Sequence, residues 1–323
     1  MRAESRVRNM VSLSEITPYF SIYGFFFTLI FGTVGGIFNL LTFSSQDFRT
    51  KSCVFYLICS SLADLLFINV GIILRFSTEY FGNTLVSTSD GICKARAYLL
   101  VCLPTMAAWC VVLATFDRFA SASSNGRLRQ LNSISFARRS VSIAMICIIT
   151  SCSFHPFIFK IRNSVCAASS GFPTIATALY AIIFSCIMPC TAVITLGSMT
   201  WSNVRKSQQR VTPMENSHGQ STGLRRLNRQ LFILVFVHAV VISVLTIQRN
   251  VTYTYNVLTS SIQKSVERQT VEYFIIQVST ILYYTNFGLS FYVYYGSSSM
   301  FRQVYWKSVK QLLHKCCSCC KRN

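Results

Sequence analysis

The sequence predicts an all-α membrane protein: a bundle of seven transmembrane helices followed by a C-terminal amphipathic helix. Three observations predict it. The 323 residues are 52% hydrophobic and only 12% charged, with a mean hydropathy of +0.45, whereas soluble domains carry about 25% charged residues. The charges gather in short clusters between long uncharged runs, the pattern of a multi-span helical chain. A soluble protein of this size has too little polar surface to cover so many buried runs.

The spans follow in order. Span one covers Pro18–Phe43, inside an uncharged run from Ile16 to Gln46, and Asp47, Arg49 and Lys51 end it. Its Gly24, Gly32, Gly35 and Gly36 let a neighbouring helix approach closely in lipid. Span two is Val54–Phe76, interrupted by Asp64. Span three, Ala97–Phe116, is flanked by Cys93 on one side and Asp117-Arg118 on the other. From Cys93 to Arg118 is 25 residues, or about 38 Å of helix, enough to cross a core of roughly 30 Å. Span four is Val141–Phe159. Span five is Thr174–Trp201, with Pro189 inside. Span six runs from Leu231 to Ile247, and span seven is Val271–Tyr295.

Seven spans put the termini on opposite sides. With the C-terminus cytoplasmic, 19 of the 30 lysines and arginines lie inside and six of the ten acids lie outside. The positive-inside rule then gives an extracellular N-terminus. Residues 1–17 form that terminus, 18–295 the spanning domain, and 296–323 a cytoplasmic amphipathic helix with a Cys-rich tail. No apolar core precedes residue 18, so no cleavable signal peptide is expected. The inside segment Ser202–Arg229 has a polar, turn-rich middle, TPMENSHGQSTG, and is expected to be flexible. In the tail, Phe301, Val304, Tyr305, Val309, Leu312 and Leu313 share one helical face, as in a helix lying on the membrane surface. The net charge of +20 does not signal nucleic acid, because the basic residues sit in the inter-span segments.

Certain residues carry chemistry. Cys93 and Cys166 are the two cysteines in outside segments, which face an oxidising compartment. They can pair and pin the outer loop to the top of span three; two free thiols are the alternative. Asp64, at mid-membrane, should face the bundle interior and meet polar partners. Asn39 in span one, and Asn286 and Ser290 in span seven, are at matching depth. Such a cluster holds a small cation such as Na⁺, or serves as a hydrogen-bonded core with no ion.

These features together carry a resemblance. Asn39 in GGIFNLL, Asp64 in SSLADLL, Cys93 with Asp117-Arg118 at 25 residues, Pro189, and SFYVY at Ser290–Tyr294 resemble the rhodopsin-like (class A) G-protein-coupled receptors. The resemblance covers nearly the whole chain. It implies a plasma-membrane receptor that binds an extracellular ligand and activates a heterotrimeric G protein. Arg118 would be held by Asp117 when inactive, and Tyr294 would swing inward on activation. A ligand outside biases such a two-state switch.

The chain also departs from the family. Phe119 replaces the tyrosine after Asp-Arg, and span four lacks tryptophan. Span six lacks the aromatic-x-Pro kink: Thr246 and Gln248 stand there. Ser290 and Phe291 replace Asn-Pro before Tyr294. Ala107 replaces a serine near the ion cavity. Leu100 stands where amine receptors carry an aspartate, and Tyr284 where light receptors carry a lysine. The pattern RQLFILVFVH and NFGLSFYVYYGSSSMFR is most similar to invertebrate FMRFamide-type neuropeptide receptors. The resemblance thus implies a peptide ligand ending in a basic residue and an aromatic amide. Glu79, Asp90, Glu267 and Glu272 are acids available at the outer mouth to meet it; solvated loop charges are the alternative for each.

Cys316, Cys317, Cys319 and Cys320 follow the amphipathic helix, the position of S-palmitoylated cysteines, and adjacent cysteines suit zinc poorly. The sequon Asn250-Val251-Thr252 hugs the end of span six and is expected to be unused. No catalytic constellation appears. His155, His218, His238 and His314 lie in unrelated segments, and His238 is expected to be a hydrogen-bonded packing residue. The chain is therefore not read as an enzyme. Two rivals to a signalling receptor are a small-solute transporter, for which no inverted repeat is seen, and a receptor-like membrane protein that no longer signals.

Overall fold

The computed structural model describes residues 2–79, 81, 85–162, 164–168, 171–209, 220–259 and 262–320. The chain forms α1 (Arg2–Phe43), α2 (Ser52–Glu79), α3 (Leu85–Thr88), α4 (Asp90–Ala122), α5 (Gly126–Gln130), α6 (Ile134–Cys152) and α7 (His155–Ile158). A hairpin of β1 (Phe159–Arg162) and β2 (Val165–Ala168) follows. Then come α8 (Phe172–Ile182), a π-helical turn at Ile183–Ile187, α9 (Met188–Gln209) and α10 (Gln220–Leu258). The last are α11 (Val266–Gly288), α12 (Ser290–Ser297) and α13 (Ser299–Cys320).

Among the described residues, six stretches are long and apolar enough to cross a membrane: Leu13–Phe43, Ser52–Glu79, Asp90–Ala122, Ile134–Ile158, Phe172–Arg205 and Phe232–Leu258. Their outward faces are apolar. Tyr19, Tyr23, Phe26, Phe27 and Ile30 of α1 are exposed, as are Ile143, Ile146 and Ile149 of α6 and Val244 and Val251 of α10. Soluble monomers rarely expose contiguous apolar belts of this kind, whereas lipid requires them. The chain is a multi-pass helical membrane protein.

The seventh expected span, Val271–Tyr295, corresponds to α11 and α12, which break at Leu289. It is absent from the six apolar stretches because α11 carries Gln277, Ser279, Thr280 and Asn286, all buried. α11 packs against α1, α2 and α10 and so closes the bundle between its first and sixth long helices. Backbone approaches backbone where Gly32 meets Gly288: an added Cβ on Gly288 would lie 2.9 Å from the Gly32 Cα. This is the small-residue contact anticipated for span one.

Helix ends run past the expected ones. α10 continues 11 residues beyond Ile247 to Leu258, and α4 begins at Asp90 rather than near Ala97. The physical reason is that Arg249 and Arg96 face the bundle interior, so the arginines that seemed to end these spans do not end the helices. α9 reaches Gln209 and α10 starts at Gln220, so helix extends into the segment Ser202–Arg229 from both sides. The middle of that segment, 210–219, lies outside the described residues. The all-α expectation is also modified by the small antiparallel hairpin, in which Ile161 pairs with Cys166.

The core lies in two halves. The half beside α13, called the inner half, joins Phe43, Phe48, Tyr56, Leu57, Leu234, Phe291, Tyr294 and Phe301. The half nearer the hairpin, called the outer half, joins Phe25, Phe67, Ile68, Ile72, Leu103, Ile281 and Tyr284. α13 seals the inner end through buried Phe301, Val304 and Ser308, while Leu312 and Leu313 stay exposed. Lys307 Nζ meets Asp47 Oδ2 at 2.8 Å and ties α13 to the turn after α1. This matches the amphipathic pattern. The side chains of Cys316, Cys317, Cys319 and Cys320 lie outside the described residues.

Candidate functional site

The outer end of the bundle holds a cavity of about 320 Å³. α4 supplies Arg96, Leu100 and Pro104; α10 supplies Arg249, Asn250 and Tyr253; α11 supplies Tyr283. The hairpin forms one wall through Phe159 and Cys166. It is held there by a disulfide from Cys166 to Cys93, in the first turn of α4, with Cα atoms 5.7 Å apart. The pairing anticipated from the two outer cysteines is thus present, and its consequence is a pinned cavity wall.

The fifth long helix reaches the cavity through its π turn, where Ser185 lines the wall. There Met188 N–H bonds to Ile183 O, five residues back. The next such donor would be Pro189, which has no N–H. Phe184 O is left over and accepts instead from Trp109 Nε1 of α4 at 3.2 Å. Ser185 Oγ exchanges a hydrogen bond with Thr105 Oγ1 at 2.8 Å. Pro189 therefore ties the fifth helix to α4 beside the cavity, and π turns recur at functional sites for this reason.

The electrostatics of the cavity differ from the sequence expectation. The outer acids are engaged elsewhere: Glu79 with Arg75 at 3.0 Å, Asp90 with Lys94 at 2.5 Å, and Glu272 with Lys264 at 2.5 Å and Arg268 at 2.7 Å. Glu272 also accepts from Tyr255 at 2.8 Å. Glu267 is exposed in the first turn of α11. None of the four lines the cavity, and its charged lining residues are Arg96 and Arg249. The Arg249 guanidinium lies 5.8 Å from the Tyr253 ring and 5.9 Å from the Tyr283 ring. Sequence reasoning missed both arginines. The signal that exposes them is their place at the edges of apolar spans, since an ionisable side chain at membrane depth faces the bundle interior. Asn250 also lines the cavity and donates to Thr246 O at 2.9 Å, so the sequon sits inside a helix.

Below the cavity lies the polar core. Asn39 Nδ2 donates to Ser290 Oγ at 2.8 Å, with both residues buried. Asn286 Nδ2 reaches Thr246 Oγ1 at 3.5 Å. Asp64 is buried, 4% exposed, and among the described residues its carboxylate has no hydrogen-bond partner. Asn39 Oδ1 and Asn286 Oδ1 are likewise buried without partners. The unsatisfied oxygens of Asn39 and Asn286 are of the kind that a small hard cation or ordered water satisfies. Ala107 offers only its backbone carbonyl, which accepts from Ser60 Oγ at 3.3 Å.

At the inner end, Arg118 Nη2 meets Asp117 Oδ2 at 2.5 Å, and both side chains are almost wholly buried, at 4% and 3% exposed. Tyr294 OH shares a 2.6 Å hydrogen bond with His238 Nδ1. Its ring packs edge-on to Phe43 and against Phe301, with centroids at 5.4 and 5.7 Å. His238 is a hydrogen-bonded packing residue, as expected, and its partner is the tyrosine that the family pattern singles out. Comparison with protein-family models finds none that matches the chain, and comparison with curated proteins finds no match.

Proposed function

We propose that the chain is a G-protein-coupled receptor of seven spans in the plasma membrane, with its N-terminus outside and α13 at the cytoplasmic face. The observation that carries this reading is the arrangement along α4. A disulfide-pinned cavity stands at one end and a buried Asp117–Arg118 pair at the other. An arginine held by its neighbour inside the bundle mouth has a second possible partner in a cytoplasmic protein, and a ligand that favours one bundle packing shifts that choice. The partner in this reading is a heterotrimeric G protein. The extracellular ligand in this reading is a peptide. The tail cysteines Cys316, Cys317, Cys319 and Cys320 are proposed acylation sites that anchor α13 to the inner leaflet. Asp64, Asn39, Asn286 and Ser290 are proposed to hold Na⁺ as a regulator of the packing.

The direct test is nucleotide exchange on purified G proteins by the reconstituted chain. Arg118→Ala should abolish agonist-stimulated exchange while leaving surface expression intact. Undiminished exchange in that variant removes Arg118 from the proposed role. A receptor-like protein that no longer signals is the second reading. It is favoured by α10, which runs unbroken from Gln220 to Leu258 with Thr246 and Gln248 where a kink is expected. Strong surface expression with no coupling to any G protein across an agonist screen would support that reading.

A further inference from the structure

We infer that the outer cavity recognises a compact oxyanion, a carboxylate first of all, through Arg96 and Arg249. The inference rests on the receptor reading for the cavity's role, and it narrows the ligand's chemistry.

Two guanidinium groups face one cavity with no carboxylate in its lining. The other wall residues are apolar, aromatic or neutral, among them Leu100, Phe159, Tyr253 and Tyr283. A charge taken from water into such surroundings is costly unless it is paired. The nearby acids do not pair with these two arginines, because Glu79, Asp90 and Glu272 already hold Arg75, Lys94, Lys264 and Arg268. Among the described residues, Arg249 meets the faces of Tyr253 and Tyr283 and forms no ion pair, and the buried Nε of Arg96 has no acceptor. A native protein that leaves a buried donor open usually satisfies it with something bound. An oxyanion supplies the missing charge and acceptors together, and guanidinium forks match carboxylate geometry.

The cavity's size limits the rest of the ligand. At about 320 Å³ it lies at the small end of ligand sites, which run from roughly 300 to 1,000 Å³. It takes a small organic acid, or the last residue of a peptide with a free C-terminal carboxylate. Tyr253, Tyr283 and Phe159 favour an aromatic or branched apolar body beside the charge. A peptide whose terminus is amidated and whose neighbour is basic meets two positive charges here. The electrostatics disfavour that class.

Matched acids and amides test this on the full-length chain in nanodiscs. One arm uses hydrocinnamate and hydrocinnamamide. The other uses a phenylalanine-terminated tripeptide, as free acid and as amide. Affinity is read by thermal shift, without a G protein. The acid of at least one pair should bind at least about tenfold tighter than its amide, the effect of one charge-assisted hydrogen bond. Whichever acid binds tells a small acid from a peptide terminus. Arg249→Gln and Arg96→Gln should each weaken acid binding by about tenfold and leave amide binding unchanged, with Arg249→Lys intermediate. Should the glutamine variants fold poorly, the acid–amide contrast in the unaltered chain still decides. Amides binding as well as acids, or no binding by either acid at millimolar concentration, overturns the proposal. Acid binding that never drives exchange leaves the anion site standing and removes the receptor reading. Exchange driven by amidated basic peptides does the reverse.

Discussion

His238 on α10 and Tyr294 on α12 share a 2.6 Å hydrogen bond while each is only 1% exposed. The bond joins the sixth long helix to the last turns of the bundle, next to the buried faces of Phe43 and Phe301. It anchors the tyrosine hydroxyl within a cluster of apolar rings, so it fixes which way the tyrosine points. In the proposed receptor it holds Tyr294 in one of two positions.

Replacing His238 with Phe keeps the ring volume and removes the bond. The lost hydrogen bond and the stranded Tyr294 hydroxyl together cost about 1–3 kcal/mol. On the switch reading, about 1 kcal/mol of that moves the resting equilibrium roughly fivefold towards the packing with Tyr294 released. Basal nucleotide exchange by His238→Phe should therefore rise several-fold, with a melting temperature a few degrees lower. Basal exchange unchanged alongside a lowered melting temperature would reduce the bond to a structural one.

The Cys93–Cys166 bridge closes a separation of 73 residues. Chain-entropy arguments give about 4 kcal/mol for a loop of that length. Cys93→Ser with Cys166→Ser should lower the melting temperature by several degrees and loosen the hairpin wall. Proteolysis within Phe159–Ala168 should become much faster in the double variant. Cleavage as slow as in the parent would mean that the hairpin is held by packing alone.

Much of this architecture was legible in the sequence, because lipid enforces a simple code. Long uncharged runs must be helices, and buried acids and amides must find partners inside the bundle. The Asn39–Ser290 bond was legible on that basis; Asp64 is buried as expected, but no partner for its carboxylate stands among the described residues. The cysteine pair was legible because only two cysteines fall in outside segments. The span boundaries at Arg96 and Arg249 were misjudged by the same code. It treats a charge beside an apolar run as an end, and only packing shows that these two turn inward to line a cavity. The hairpin was missed for a related reason. Phe159–Ala168 has too little pattern over four-residue strands to announce itself, and its shape depends on the bridge to α4. The partner of Tyr294 was hidden because His238 is 56 residues away in sequence.

The polar core allows an ion test that needs no ligand. Asn39 and Asn286 carry buried acceptor oxygens that lack partners among the described residues, and Asp64 is buried as well. Exchanging sodium for choline at constant ionic strength should lower the melting temperature of the parent by a few degrees, since a bound ion stabilises by mass action. Asp64→Asn should abolish the difference. Equal melting temperatures in both salts would leave the core to ordered water.

The last prediction concerns how α11 is seated. An added Cβ at Gly288 meets the Gly32 Cα at 2.9 Å, and an added Cβ at Gly32 meets Ile68 Cδ1 at 2.9 Å. The Ile68 methyl can rotate away, whereas the backbone at Gly32 cannot. Gly288→Val should therefore force α1 and α11 apart at a cost of roughly 1–3 kcal/mol or more. The Asn39–Ser290 bond joins α1 to the start of α12, two residues beyond Gly288, so it should weaken too. Gly126→Ala is the control, because nothing lies within 4 Å of its added Cβ. It should leave stability unchanged or raise it by up to about 1 kcal/mol through helix propensity in α5. Thermal melting of the two variants in nanodiscs checks both signs. A neutral Gly288→Val would mean that α11 is not pressed against α1, and its place in the bundle would have to be held by α10 instead.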